Sequence, residues 1–188
     1  MCQRTSFCAL GIALVALAVL TVSAVEGGPP PSAPTCLHTP FHRITATSEI
    51  GEIIGATDPL DWGCANGQGS AVGRSVRTSG AGAVPPPTPP SGVCFLPAYP
   101  NPATTAARLR LSLGQSTHVL LVVYGQTWHN GPREVYPVRT LFDTQLQAGE
   151  HTVLWDGRDA SGVRVPAGIY RAVMEAGEDV LCGDIEIR

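Results

Sequence analysis

From Ala107 to the C-terminus, apolar residues recur at alternate positions in short runs, and turn-forming Gly, Asp and Pro separate the runs. Alternation sends successive side chains to opposite faces of an extended strand, whereas an amphipathic helix needs apolar residues three and four positions apart. In "ARLRLSL", Leu109, Leu111 and Leu113 share one face, and Arg108, Arg110 and Ser112 share the other. In "HVLLVVY", residues 118–124, both faces are apolar, which predicts a central strand covered on both sides. Further strands are expected over 138–142, 151–155, 168–176 and 179–188, and no convincing amphipathic helix is found. Turn signals roughly every ten residues fit an all-β fold, a single Ig-like (fibronectin-like) β-sandwich of about seven strands occupying 98–188. Proline donates no ladder hydrogen bond, so Pro100 and Pro102 in "AYPNP" predict an edge position for the segment that opens the sandwich.

The preceding half reads differently. "GGPPPSAP" (27–34) and "AVPPPTPPSG" (83–92) favour extended, semi-rigid spacers, and the Gly/Ser-rich stretch between them, 67–83, has too little apolar content for a core. Residues 25–97 are therefore expected to form a largely irregular, low-order segment, with a short hairpin over about 43–64. Residues 1–24 read as a signal peptide. One arginine precedes an apolar run from Ala9 to Val22, shorter than the roughly 20 residues of a spanning helix, and Val22-Ser23-Ala24 supplies a cleavage-like end. The expected location is exported: periplasm, cell surface or medium, with membrane contact only through the signal peptide.

Of the six cysteines, Cys2 and Cys8 would leave with that signal. Cys36, Cys64, Cys94 and Cys182 remain as disulfide candidates in an oxidising compartment, and three pairings are open to them. The expected choice is sequential, Cys36 with Cys64 and Cys94 with Cys182.

Chemistry is sparse. All 12 basic residues are arginine, which removes Schiff-base and P-loop lysine mechanisms. A formal net charge of -3 without a basic patch argues against a nucleic-acid partner. Asp156, Asp159 and Ser161 in "DGRDASG" offer oxygens to calcium but lack the EF-hand spacing, so a hydrogen-bonded turn is expected. Cys36, His38, His42 and Cys64 have the atoms of a zinc site, yet a proline interrupts them and export favours a disulfide. Ser161, His151 and Asp143 have the atoms of a hydrolase triad without a nucleophile elbow. No enzyme, metal or cofactor is expected.

"AYPNPATTAARLRLSL", "HVLLVVYGQ" and "VRTLFDTQLQAGEHTVLWDGRDASGVRVPAGIYRAVMEAG" together resemble the Ig-like module shared by the flagellar hook-capping protein and the C-terminal sorting domains of the type IX (Por) secretion system. The matching positions are Tyr99, Pro100, Asn101, Pro102, Gly149, Trp155, Asp156, Gly157, Asp159, Gly162, Gly168 and Tyr170. The resemblance covers 98–188 and implies envelope targeting, secretion sorting or surface attachment through secretion or envelope machinery; a hook-assembly structural role is a further implication. The chain departs from the pattern at "GQTWHNGPREVYP", 125–137, which adds residues after the tyrosine strand, and at the lysine-free end "CGDIEIR". The added loop makes Trp128 and His129 the candidate partner-binding residues of a small extracellular binding module, with a protein or glycan as partner. The expected place of the Trp128 ring itself is folded back over the sheet edge, with the partner contact as the alternative.

Overall fold

A computed structural model of the protein describes residues 34–55, 57–58, 61–65, 92–128 and 131–188. Residues 1–24, the expected signal peptide, with Cys2 and Cys8, the Gly/Ser-rich stretch, most of both proline-rich stretches, and His129 lie outside the described residues. The strands are β1 (Gly63–Cys64), β2 (Cys94–Tyr99), β3 (Ala107–Leu113), β4 (Thr117–Trp128), β5 (Arg133–Leu146), β6 (Gly149–Trp155), β7 (Gly168–Ala176) and β8 (Asp179–Ile187). They form two antiparallel sheets, ordered β1-β2-β3-β6 and β5-β4-β7-β8, packed as an all-β sandwich.

The alternation in β3 sends Leu109, Leu111 and Leu113 inward, where they are fully buried with Val119, Leu121 and Val123 of β4 and Ile185 of β8. Trp155 closes this core edge-on against Tyr170, with ring centroids 5.3 Å apart. β4 is central, between β5 and β7, as its two apolar faces require. The described residues between 34 and 65 are largely irregular, with one short 3-10 turn (Thr35–Leu37) and a Thr47–Ile53 bridge in addition to β1. They nevertheless pack with the strands as one unit.

Three expectations are corrected. β4 does not end at Tyr124, because pairing continues from Gly125↔Tyr136 to Trp128↔Arg133 and makes the added residues a longer hairpin. Gly125 permits this, since a Cβ there would sit 2.6 Å from the Tyr136 ring. A register shift beside Tyr124 accommodates its partner Pro137.

The YPNP segment is not an edge strand. β2 ends at Tyr99 between β1 and β3, with Pro97 at its own register slip, and Pro100 and Pro102 flank a crossing from the first sheet to β8 of the second. Asn101, fully buried, holds that crossing. Its Nδ2 donates to the carbonyls of Thr45 (3.1 Å) and Asp184 (2.9 Å), and its Oδ1 accepts from Glu186 N–H (2.9 Å).

The disulfide is neither of the sequential choices: Cys64 is bonded to Cys94. The two lie directly opposite in the β1–β2 register, with Cα atoms 4.0 Å apart, so pairing of the strands brings the sulfurs together. Cys36 and Cys182 are free thiols.

The outer edge of β8 is covered by irregular backbone: Trp62 N–H donates to the Cys182 carbonyl (2.7 Å), and Ala103 N–H to Glu186 (2.8 Å). Trp62, at φ +58°, turns its ring over Gly183 and edge-on to Phe95. A Cβ at Gly183 would stand 2.2 Å from that ring, so glycine there is a packing requirement.

Asn101→Ala strands two buried carbonyls and one part-buried N–H at the crossing. Urea unfolding of the full chain is expected to show a loss of about 2–4 kcal/mol. An unchanged midpoint would mean that the crossing is held by backbone pairing alone.

Candidate functional site

The outer face of the β5-β4-β7-β8 sheet carries Tyr124, Val135, Ile169, Val173 and Cys182, an apolar surface that a two-layer sandwich would leave in water. Residues 36–42 lie across it as a strap. Leu37 and Phe41 are buried there against Val173. The strap is gripped by the lengthened hairpin and by β7. Gln126 accepts from Phe41 N–H through Oε1 (3.1 Å) and donates to the Phe41 carbonyl through Nε2 (2.7 Å). Arg133 donates to the Leu37 carbonyl. Arg171 donates to the carbonyls of Cys36, Thr39 and Pro40 and to Thr39 Oγ1. The Phe41 ring is approached by two guanidinium groups, Arg171 at 4.4 Å and Arg133 at 5.5 Å from its centroid.

Beneath the strap, Arg171 and Asp184 form a two-pronged ion pair (Nε–Oδ1 2.6 Å, Nη2–Oδ2 2.7 Å) with side chains only 7% and 1% exposed. Such a fork satisfies both carboxylate oxygens, so removing one partner leaves a buried charge alone. Burial opposes the Arg171 charge, and the hydrogen bond and charge of Asp184 overcome it, holding the guanidinium above its ordinary value. Burial pushes Asp184 itself up against the pull of Arg171.

Asp61 completes the cluster. It is 3% exposed, and its Oδ2 has no hydrogen-bond partner. Burial, then the neighbouring Asp184 charge, pushes its carboxyl up to about 8, while the Asp184 N–H and Arg171 act the other way and Asp58 adds to the rise. Burial and the neighbouring carboxylate thus favour the protonated form of Asp61.

The sequence candidates fall in several places. Trp128 ends β4 at the hairpin tip and is 61% exposed, so its ring is not folded back over the sheet. The "DGRDASG" oxygens are engaged in a turn. Asp159 Oδ1 accepts from Ser161 and Val163 N–H (both 2.9 Å), and Asp156 Oδ1 accepts from Arg158 N–H (3.2 Å) and from Arg139 (3.0 Å). Gly157 (φ +65°) and Gly162 (φ +81°) take the left-handed positions. Gly149 has φ +131°, whereas Gly168 has neither a positive φ nor a crowded Cβ position, so nothing in the structure requires glycine there. Tyr170 donates through its hydroxyl to the Pro166 carbonyl (2.7 Å), and Tyr99 lies against Arg108 and Arg110.

The zinc and triad arrangements are not assembled. Cys64 is in a disulfide, and His42 Nδ1 is bound to the Pro40 carbonyl. Asp143 pairs with His118 at 3.2 Å, and His151 Nε2 is bound to the Gln147 carbonyl. Among the described residues no group of three or more His, Cys, Asp or Glu is placed to hold a metal ion.

Sequence reasoning missed Leu37, Phe41, Gln126, Arg133, Arg171, Asp184 and Asp61. The signal was present in "IYRAVM", where Arg171 shares parity with Ile169 and Val173 in an otherwise apolar strand, since a charge there calls for a buried partner.

The fold and the turn define an Ig-like β-sandwich module. Residues 137–179 match the family described as the FlgD Ig-like domain, the hook-capping module of the resemblance, and the matched span contains β6, the "DGRDASG" turn and β7. The strap lies outside that span. No curated protein matches the chain. The crystal structure of an uncharacterized protein from Bacillus anthracis str. Ames aligns at 19% identity over 45% of this chain and 71% of that one, with a TM-score of 0.35. That overlap is too low to bear on the fold.

Folding draws a proton onto Asp61, so its contribution to stability is fully present below the ordinary carboxylate range and is lost as pH rises toward 8. Unfolding free energies of the full chain, from urea titrations, are expected to fall between about pH 5 and pH 8 by up to about 1.4 kcal/mol per pH unit for one proton. Asp61→Asn is expected to flatten most of that slope; an unaltered slope would assign the proton to another group, with Asp184 the first to test.

Proposed function

We infer that the chain is an exported, non-catalytic Ig-like module that attaches to or helps build an assembly of the cell envelope, with the tip of the β4–β5 hairpin as its contact. The observation that carries this reading is the match of residues 137–179 to the FlgD Ig-like domain. A role like that of the hook-capping protein, in which the sandwich is a structural part, follows from it.

Trp128 supports the contact. A large aromatic ring is held in water at the end of a twelve-residue strand, while the neighbouring outer face of the sheet is already covered by the strap. Exposed aromatic side chains on a rigid support act as anchors because they bury much area with little loss of rotamer freedom. The partner fitting this surface is an envelope or extracellular protein, or a glycan face. The Cys64–Cys94 bond is compatible with an oxidising compartment.

Trp128→Ala tests the contact. Retention of the tagged full chain on washed envelopes of the producing cells is expected to fall by about tenfold or more, with no change in melting temperature. If retention is unchanged, Trp128 is not the contact. Sorting is a separate version of the same reading. If a reporter inserted after Gly82 reaches the surface only when residues 93–188 follow it, the sandwich is an address.

A further inference from the structure

Cys36 opens the strap, and Cys182 lies in the middle of β8 on the face the strap covers. Each is half-buried against the same apolar cluster of Leu37, Phe41 and Val173, and Val173 is the register partner of Cys182. The backbone on both sides is fixed. The Cys36 carbonyl is held by Arg171 and by Thr39 Oγ1, and the Cys182 carbonyl accepts from Trp62 N–H at 2.7 Å. With Cys64 and Cys94 already bonded, these thiols are each other's partner among the described residues.

We propose that Cys36 and Cys182 form a second, reversible disulfide that locks the strap onto β8. The oxidant is a disulfide, either a small molecule such as oxidised glutathione or the active-site disulfide of a thiol oxidoreductase. Cys36, as thiolate, attacks one sulfur of the oxidant; that S–S bond breaks, and the departing thiolate takes up a proton. Cys182, as thiolate, then attacks the Cys36 sulfur in the mixed disulfide, and the second thiol leaves with a proton. Two protein thiols have lost two electrons and two protons, and one oxidant disulfide has become two thiols.

The order of attack follows from the surroundings. The interaction with Cys182 lowers the Cys36 thiol below its ordinary value, burial opposes this, and the Arg171 charge adds to the lowering. The interaction with Cys36 and burial push Cys182 up, which leaves the first attack to Cys36. The neighbouring Asp184 acts against both thiolates. The strap does not have to leave β8 for the bond to close, because Leu37, next to Cys36, is packed in one cluster with Val173, the register partner of Cys182.

Cleavage at arginine places Cys36, Cys64, Cys94 and Cys182 in four separate peptides, since Arg43, Arg74, Arg77, Arg108 and Arg171 lie between them. The full chain, reduced and then exposed to oxidised glutathione, is alkylated and mapped by mass spectrometry without reduction. The expected result is a Cys36–Cys182 linked peptide beside the Cys64–Cys94 one, with a melting temperature roughly 5–15 °C above that of Cys36→Ser. In Cys36→Ser, Cys182 is expected to be alkylated while Cys64–Cys94 stays intact. The proposal is overturned if both Cys36 and Cys182 remain alkylated in the wild type while Cys64–Cys94 forms. It is equally overturned if Cys36 or Cys182 links to a different cysteine.

Discussion

Arg171 is the residue on which the outer layer of this protein depends. One guanidinium forks onto Asp184 of the next strand, donates to four acceptors of the strap, and lies against the Phe41 ring. A buried ion pair by itself adds little to stability, because desolvation cancels most of the attraction. Here the remaining N–H groups find carbonyls, so the charge leaves no donor stranded and the strap acquires a fixed geometry. The direction of dependence is clear from chain position. The strap has no regular structure of its own beyond one 3-10 turn, and its place is dictated by side chains that arrive some hundred residues later.

The same economy explains the lengthened hairpin. A four-stranded sheet whose central strand is apolar on both faces needs cover on both, and the opposing sheet supplies only one. The other comes from residues 36–42, and the grip on them comes from Gln126 and Arg133, which lie on either side of the tip that the Ig-like pattern does not include. Insertion and strap are thus two halves of one device. Trp128, at the end of β4, is left to solvent.

Much of the sandwich could be read directly. Leu109, Leu111 and Leu113 announce their face by parity, and "DGRDASG" announces a turn closed by its own aspartates. The readable features are local ones, in which spacing alone determines geometry. The strap was not legible because "CLHTPFH" has no period and takes its shape from a surface formed elsewhere. The same holds for the disulfide: Cys64 meets Cys94 only because two-residue β1 pairs with β2, a contact too short to leave a sequence pattern. Asp61 was equally hidden, since nothing in its neighbourhood in the chain says that Asp184 and Arg171 will stand beside it.

The Cys64–Cys94 bond also changes what chain continuity means for this molecule. Residues 65–93 leave β1 and return to β2 at the same point, so the bond closes them into a covalent ring. Hydrolysis of any one peptide bond inside that ring would produce two polypeptides that stay attached, the shorter one still threaded through the strap site and along the β8 edge. Such a nicked form would run as one species until a reductant opened the bridge. Its two pieces would then be held by contacts alone, and the fold would have become a complex.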